Sequence, residues 1–203
     1  MSFKTITKFE SEISKFFGAP YAVAVDSCTH GIELCIRHQN LSYINVPRRT
    51  YISVPFLADK LKIQLQWRDE DWVDYYQVNN HLQPIYDAAV LWKKDSYIPG
   101  SYMCISFQFQ KHLSLGRGGI ILCDTKKDYD ILKRMSYDGR TPNVSWNDED
   151  DFIIGYHYNM SIEHSITCSK LLHEYIAKGL YDPKPTNHRD CRNINIIDPL
   201  TLS

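Results

Sequence analysis

A chain of 203 residues, 43% hydrophobic and 23% charged, is long enough for one domain with a sizeable core, or one domain plus a small appendage. Its formal charge of −1 gives no reason to expect a nucleic acid or an anionic membrane surface as partner, and no apolar run approaches the ~20 residues of a membrane span. Six scattered cysteines without a C-x-x-C pair, and opening residues without a signal-peptide core, read as a soluble cytoplasmic protein with reduced thiols.

Phe3, Ile6, Phe9, Ile13 and Phe16 recur every three or four residues, which predicts an amphipathic helix over 3–17, stopped by Gly18 and Pro20. Tyr21–Val25, "YAVAV", is a continuous apolar run, the pattern of a strand covered on both faces. "SCTHGIELCIRHQ" then reads as a turn and a helix starting near Thr29, with Ile32, Cys35 and Ile36 inward. Further strands are expected at Ser42–Val46, at Lys62–Trp67 (alternating, hence half-covered or at an edge), in Gln83–Val90 up to Asp87, at Tyr102–Phe109 and at Gly118–Asp124. Helices are expected over Lys127–Gly139 and Ser161–Gly179, each with a glycine stop. Strands alternating with helices predict a three-layer α/β/α domain over 1–180 with a mainly parallel sheet. The Pro-, Asn- and Asp-rich residues 181–203 read as an extended tail.

Ligands of open α/β sheets sit beyond the carboxyl ends of strands. Three groups fall at such ends. After Val25, "DSCTHG" opens a helix whose first N–H groups, those of Cys28 and Thr29, suit a phosphate, although plain helix capping uses the same residues. Asp87 ends a strand before two small alanines; it could hold a protonated ring nitrogen, or simply cap a turn. Ser106 lies on a strand and Lys111 just past it, followed by Gly116, Gly118 and Gly119; the lysine is either a surface charge or an amine in a partly dry pocket, able to form a Schiff base. A phosphate cradle, a ring-nitrogen carboxylate and a Schiff-base lysine are together the needs of pyridoxal 5′-phosphate, PLP.

Those residues, with their surroundings, resemble the DegT/StrS family of PLP-dependent sugar aminotransferases of fold type I. "FGAPYAVAVDSCTHGIEL" is similar to the family's glycine, Y-A-V-A-V strand and S-G-T-A-A-L; "VPRRTYIS" to V-P-x-x-T-F-x-A; "IYDAAVLW" to E-D-A-A-H-A. "GSYMCISFQFQKHLSLGRGG" is similar to the family's strand–lysine–G-E-G-G segment, "MSYDGR" to L-R-x-H-G-R, and "GYHYNMSIEHSITCSKLL" to G-Y-N-Y-R-M-S-x-x-Q-A-A-x-x-x-x-Q-L. The resemblance implies that Lys111 forms the link to the cofactor, that Asp87 pairs with its ring nitrogen, and that Ser106, Cys28 and Thr29 bind its phosphate. It implies that Tyr51 takes the place of the stacking aromatic. His157 takes the place of an asparagine that reaches the phosphate from a neighbouring subunit, so a homodimer with shared active sites is implied.

The sequence also departs from the family. Cys28 replaces a glycine, Val90 a histidine, Arg117 the glutamate of G-E-G-G, and Asn159 an arginine. The stretch from Trp67 to Pro84 is short, as though a strand–helix unit were missing, and the family's C-terminal domain has no counterpart after the long helix. The expected function is amino transfer, with glutamate as donor, to a nucleotide-linked keto-sugar; the alternative is a shortened, non-catalytic relative that binds PLP, a sugar nucleotide or another subunit. Family members with histidine at the lysine position perform dehydration; Lys111 argues against that, although His112 is adjacent. His157, His164, His173 and Cys168 lack metal-ligand spacing, so no metal site is expected. Met135 and Met160 are expected in the core.

Overall fold

A computed structural model describes residues 3–179 and 187–194. Ile6, Phe9, Ile13 and Phe17 make one apolar side of helix α1 (Lys4–Phe17), and Gly18 ends it with φ of 75°, a left-handed stop that glycine adopts without strain. The unbroken apolar run of β1 (Tyr21–Val25) has a direct cause: Ala22 and Ala24 enter one core, Val23 and Val25 the other. The same split recurs in β6 (Tyr102–Ser106) and β7 (Gly119–Cys123). Helices α2 (Cys28–His38) and α4 (Lys126–Ser136) cover the valine face; α1 and α5 (Ile162–Lys178) cover the alanine face. The result is the expected three-layer arrangement. Met135 and Met160 are buried in it.

With β4 (Tyr76–Gln77) and β5 (Ile85–Asp87), the main sheet has the order β1-β7-β6-β5-β4. Strands β1, β5 and β6 share one direction, but β7 runs antiparallel to both its neighbours and β4 antiparallel to β5. The mainly parallel sheet expected from the sequence is thus a mixed one. The physical reason is the connection from Ser106 to Gly119: it contains no crossover helix, so the chain returns as a hairpin. A second, parallel pair joins β2 (Tyr43–Pro47) and β3 (Gln64–Arg68), linked by α3 (Phe56–Leu61). It meets the main sheet where the Asn45 N–H donates to the Val78 carbonyl at 2.8 Å. The short stretch after Trp67 holds only β4 and no helix, as its length suggested. The strand expected as far as Phe109 stops at Ser106, because Phe107 turns into the core against Phe9 and Trp92. Of the tail expected over 181–203, only 187–194 lies within the described residues; these carry a single 3-10 turn, Cys191–Asn193.

One buried ion pair ties three elements together. The Glu10 carboxylate of α1, 3% exposed, accepts from the Ala24 N–H of β1 at 2.7 Å, from the Lys133 amine of α4, and from the Tyr129 hydroxyl at 3.4 Å. Removing one partner would leave a buried charge uncompensated. Lys133→Met is expected to lower the unfolding free energy by about 3–5 kcal/mol, read from the urea denaturation midpoint.

Candidate functional site

Strands β1, β5 and β6 end at one edge of the sheet, at Val25, Asp87 and Ser106. Helix α2 begins there. Its N-cap Ser27 accepts from the His30 N–H through Oγ at 3.2 Å, and the Gly31 N–H bonds the Ser27 carbonyl at 3.0 Å. The N–H groups of Cys28 and Thr29 precede that first intrahelical bond and point out of the helix start. Gly119 lets the strand approach so closely: a Cβ there would lie 2.5 Å from the Cys28 nitrogen, a backbone clash with no flexible side chain to give way.

Beyond this edge lies a cavity of about 330 Å³. Cys28, Thr29, Tyr51, Asp87, Ser106 and Lys111 all line it. Of the site residues expected from the sequence, His157 stands apart: its side chain is 81% exposed and bonds Asp138 at 3.0 Å. His112 also lies away from the cavity wall, edge-on to Tyr175 with ring centroids 5.8 Å apart. Val90 is buried elsewhere.

Asp87 is 5% exposed. Its Oδ2 accepts from the Tyr76 hydroxyl at 2.7 Å and its Oδ1 from the Ala89 N–H at 3.1 Å; Tyr76 in turn bonds the Thr50 hydroxyl at 2.6 Å. Burial pushes the Asp87 carboxyl above its ordinary 3.8, against the opposing pull of those two donors and of the Lys111 charge. Asp87 and Lys111 therefore face one cavity and feel each other. Tyr76 was not marked by the sequence, since it sits on a two-residue strand with no motif of its own; Thr50 is the threonine of the VPRRTYIS segment, but nothing in that pattern assigned its hydroxyl a part.

Lys111 is half-buried on the β6–β7 hairpin. The hairpin is anchored by Phe107 and Leu113, both within 1% of full burial, and closed by the Phe107 N–H to the Gly118 carbonyl at 3.0 Å. Gly116 and Gly118 sit at φ of 98° and 133°, where a side chain would be strained. Ser106 Oγ accepts from the Gln108 N–H at 3.2 Å, which leaves its own hydrogen to donate into the cavity. The Cys28 thiol bonds the Cys104 carbonyl at 3.4 Å, so the side chain that replaced a glycine is accommodated against β6; burial first, then Asp87, holds it protonated. Arg117 stands at the rim, tied to the Asp26 carboxylate at 2.5 Å. His188, from the segment after α5, closes one wall; nothing in the sequence pointed to it. Among the described residues, no group of three or more His, Cys, Asp or Glu side chains is placed to hold a metal ion, and no helix is long and apolar enough to cross a membrane.

Residues 1–90 match the DegT/DnrJ/EryC1/StrS aminotransferase family. The match covers 90 of the 203 residues, less than half of the chain. The fold is that of the type I PLP-dependent aminotransferases, shared with solved structures. The structure of 3-amino-5-hydroxybenzoic acid (AHBA) synthase superposes with a TM-score of 0.70 at 17% identity, over 86% of this chain and 57% of that one. The putative sugar aminotransferase Spr1654 from Streptococcus pneumoniae, in its PMP form, gives 0.70 at 15% identity, over 85% of this chain and 59% of that one. The GDP-4-keto-6-deoxymannose-3-dehydratase ColD gives 0.66 at 15% identity, over 86% of this chain and 62% of that one. The chain thus spans about 60% of the length of these solved structures. No curated protein sequence matches it.

Asp87 gives a pH signature to the chain without ligand. Because its folded pKa is raised, the stability it allows is present in full below 3.8 and is lost as pH rises through the folded value. Asp87→Asn is expected to be more stable than wild type at pH 7, with the gap closing as pH falls toward 3.8, measured by urea midpoints across that range.

Proposed function

We propose that this chain binds pyridoxal 5′-phosphate and acts as a DegT/StrS-type aminotransferase, moving an amino group from glutamate to a nucleotide-linked keto-sugar. The observation that carries the reading is the pairing of a buried carboxylate, Asp87, with a half-buried amine, Lys111, in one cavity at the start of α2.

The residues present fit the cofactor. The first-turn N–H groups of Cys28 and Thr29 and the Ser106 hydroxyl are donors for a phosphate, in the place where Gly119 excludes any side chain. Asp87, costly to keep charged when buried, gains a partner in a protonated ring nitrogen. Tyr51 and Lys111 both line the cavity, and the Lys111 amine would bond the aldehyde. When bound, PLP supplies an electron-accepting ring that stabilises negative charge beside the transferred nitrogen. The protein's part is positional. The line Thr50–Tyr76–Asp87 fixes the carboxylate, which would hold the ring nitrogen of the cofactor and keep it protonated. Lys111 Nζ takes a proton from the substrate carbon and returns it on the other side of the exchange. His157, exposed on its own subunit, would serve the phosphate of a second copy in a homodimer.

One observation favours a second reading, binding without turnover: Tyr51 is 56% exposed, so the wall it forms is open to solvent. The two readings separate experimentally. The purified protein mixed with PLP is expected to turn yellow, and Lys111→Ala to remain colourless. Ser106→Ala is expected to weaken PLP binding about tenfold through the lost hydrogen bond to a charged group. Bleaching of the colour by glutamate supports amino transfer; colour that glutamate leaves unchanged supports binding alone, and absence of colour in wild type overturns both.

A further inference from the structure

We propose that His188 is a second proton-transfer residue of this cavity, the acceptor for the proton of the incoming amine substrate. The inference rests on the PLP reading above and adds a residue that neither the motifs nor the family pattern supplies.

The geometry is specific. His188 lines the same cavity as Lys111 and Asp87. Its ring lies near-parallel to Trp72 (centroids 6.3 Å apart, 23° between planes) and tilted to Tyr51 (6.1 Å, 57°). Its own carbonyl and the backbone just after it are fastened to the segment that follows β2. The Arg49 guanidinium donates to the His188 carbonyl at 3.4 Å, the Cys191 N–H to the Arg48 carbonyl at 2.9 Å, and the Cys191 thiol to the Thr50 carbonyl at 3.3 Å. Trp72 is itself held, its indole N–H donating to the Arg49 carbonyl at 2.7 Å. These contacts hold the stretch that bears His188 against the cavity wall.

The charged and titratable groups that share its cavity are Lys111, Asp87, Cys28, Tyr51 and Arg117, while Arg49 meets its backbone carbonyl and Asp190, two residues on, is drawn to Arg48 and Arg192. Burial, and then the Lys111 charge, hold the His188 imidazole below its ordinary 6.5, so it is neutral at pH 7. A neutral imidazole beside a reactive amine has a defined use. An amino donor arrives as an ammonium ion and attacks only after losing a proton. The proton passes from the substrate nitrogen to a ring nitrogen of His188, leaving a neutral amine and an imidazolium. The imidazolium returns it to the departing amine, so the cycle closes with no net proton change.

The test has an arm that needs no cofactor. Histidine ring NMR signals of the protein alone, with His188 assigned by loss in His188→Gln, are expected to titrate below 6.5 and to move upward in Lys111→Ala. A His188 titration at or above 6.5 that ignores Lys111→Ala would overturn the assignment. The second arm uses the PLP-loaded protein and glutamate. His188→Gln is expected to keep the yellow colour with unchanged PLP affinity, and to lose it to glutamate about a hundredfold more slowly. The deficit should be smallest at high pH, where more of the donor is already neutral. Colour with unaltered kinetics in His188→Gln defeats this proposal alone; no colour in wild type defeats the PLP reading beneath it.

Discussion

The site depends on one close approach, that of β7 to the first turn of α2. Gly119 is the point of contact, and the clash a Cβ would meet is with backbone at Ser27 and Cys28. That proximity seats the open N–H groups of a helix at the carboxyl ends of β1, β5 and β6 together. A helix start alone attracts anions only weakly; fixed against a strand edge, with a buried carboxylate and an amine across one cavity, it becomes one part of a three-point site. Antiparallel β7 supplies both the contact and, through its hairpin, the amine.

Much of the fold could be read from the sequence because burial on both faces writes itself into composition. "YAVAV" reads as a covered strand because Ala22 and Ala24 pack on one layer and Val23 and Val25 on the other. Strand direction is not encoded in that way: a covered antiparallel strand is as apolar as a parallel one, so composition suggests a mainly parallel sheet where β7 makes it mixed. The clue lay in the spacing, since the connection from Ser106 to Gly119 contains no helical periodicity.

The site divides along the same line. Residues with motif support, Cys28, Thr29, Tyr51, Asp87, Ser106 and Lys111, come together at one cavity. The groups that set their properties do not announce themselves. Tyr76 sits on a strand of two residues, and Thr50, though inside the VPRRTYIS segment, shows its role only through its bond to Tyr76; together they form the hydrogen-bond line behind Asp87. His188 follows α5 in a stretch whose Pro-, Asn- and Asp-rich composition suggested only an extended tail. Such supporting residues are joined through space by single hydrogen bonds, and one-dimensional patterns carry no trace of that.

Thr50 has two tasks at once. Its hydroxyl meets Tyr76, and its carbonyl receives the Cys191 thiol. The same residue is therefore a mechanical joint between the stretch bearing His188 and the carboxylate on the far wall. A single threonine thus borders both the far wall and the chain that follows the long helix, its side chain serving one and its backbone the other.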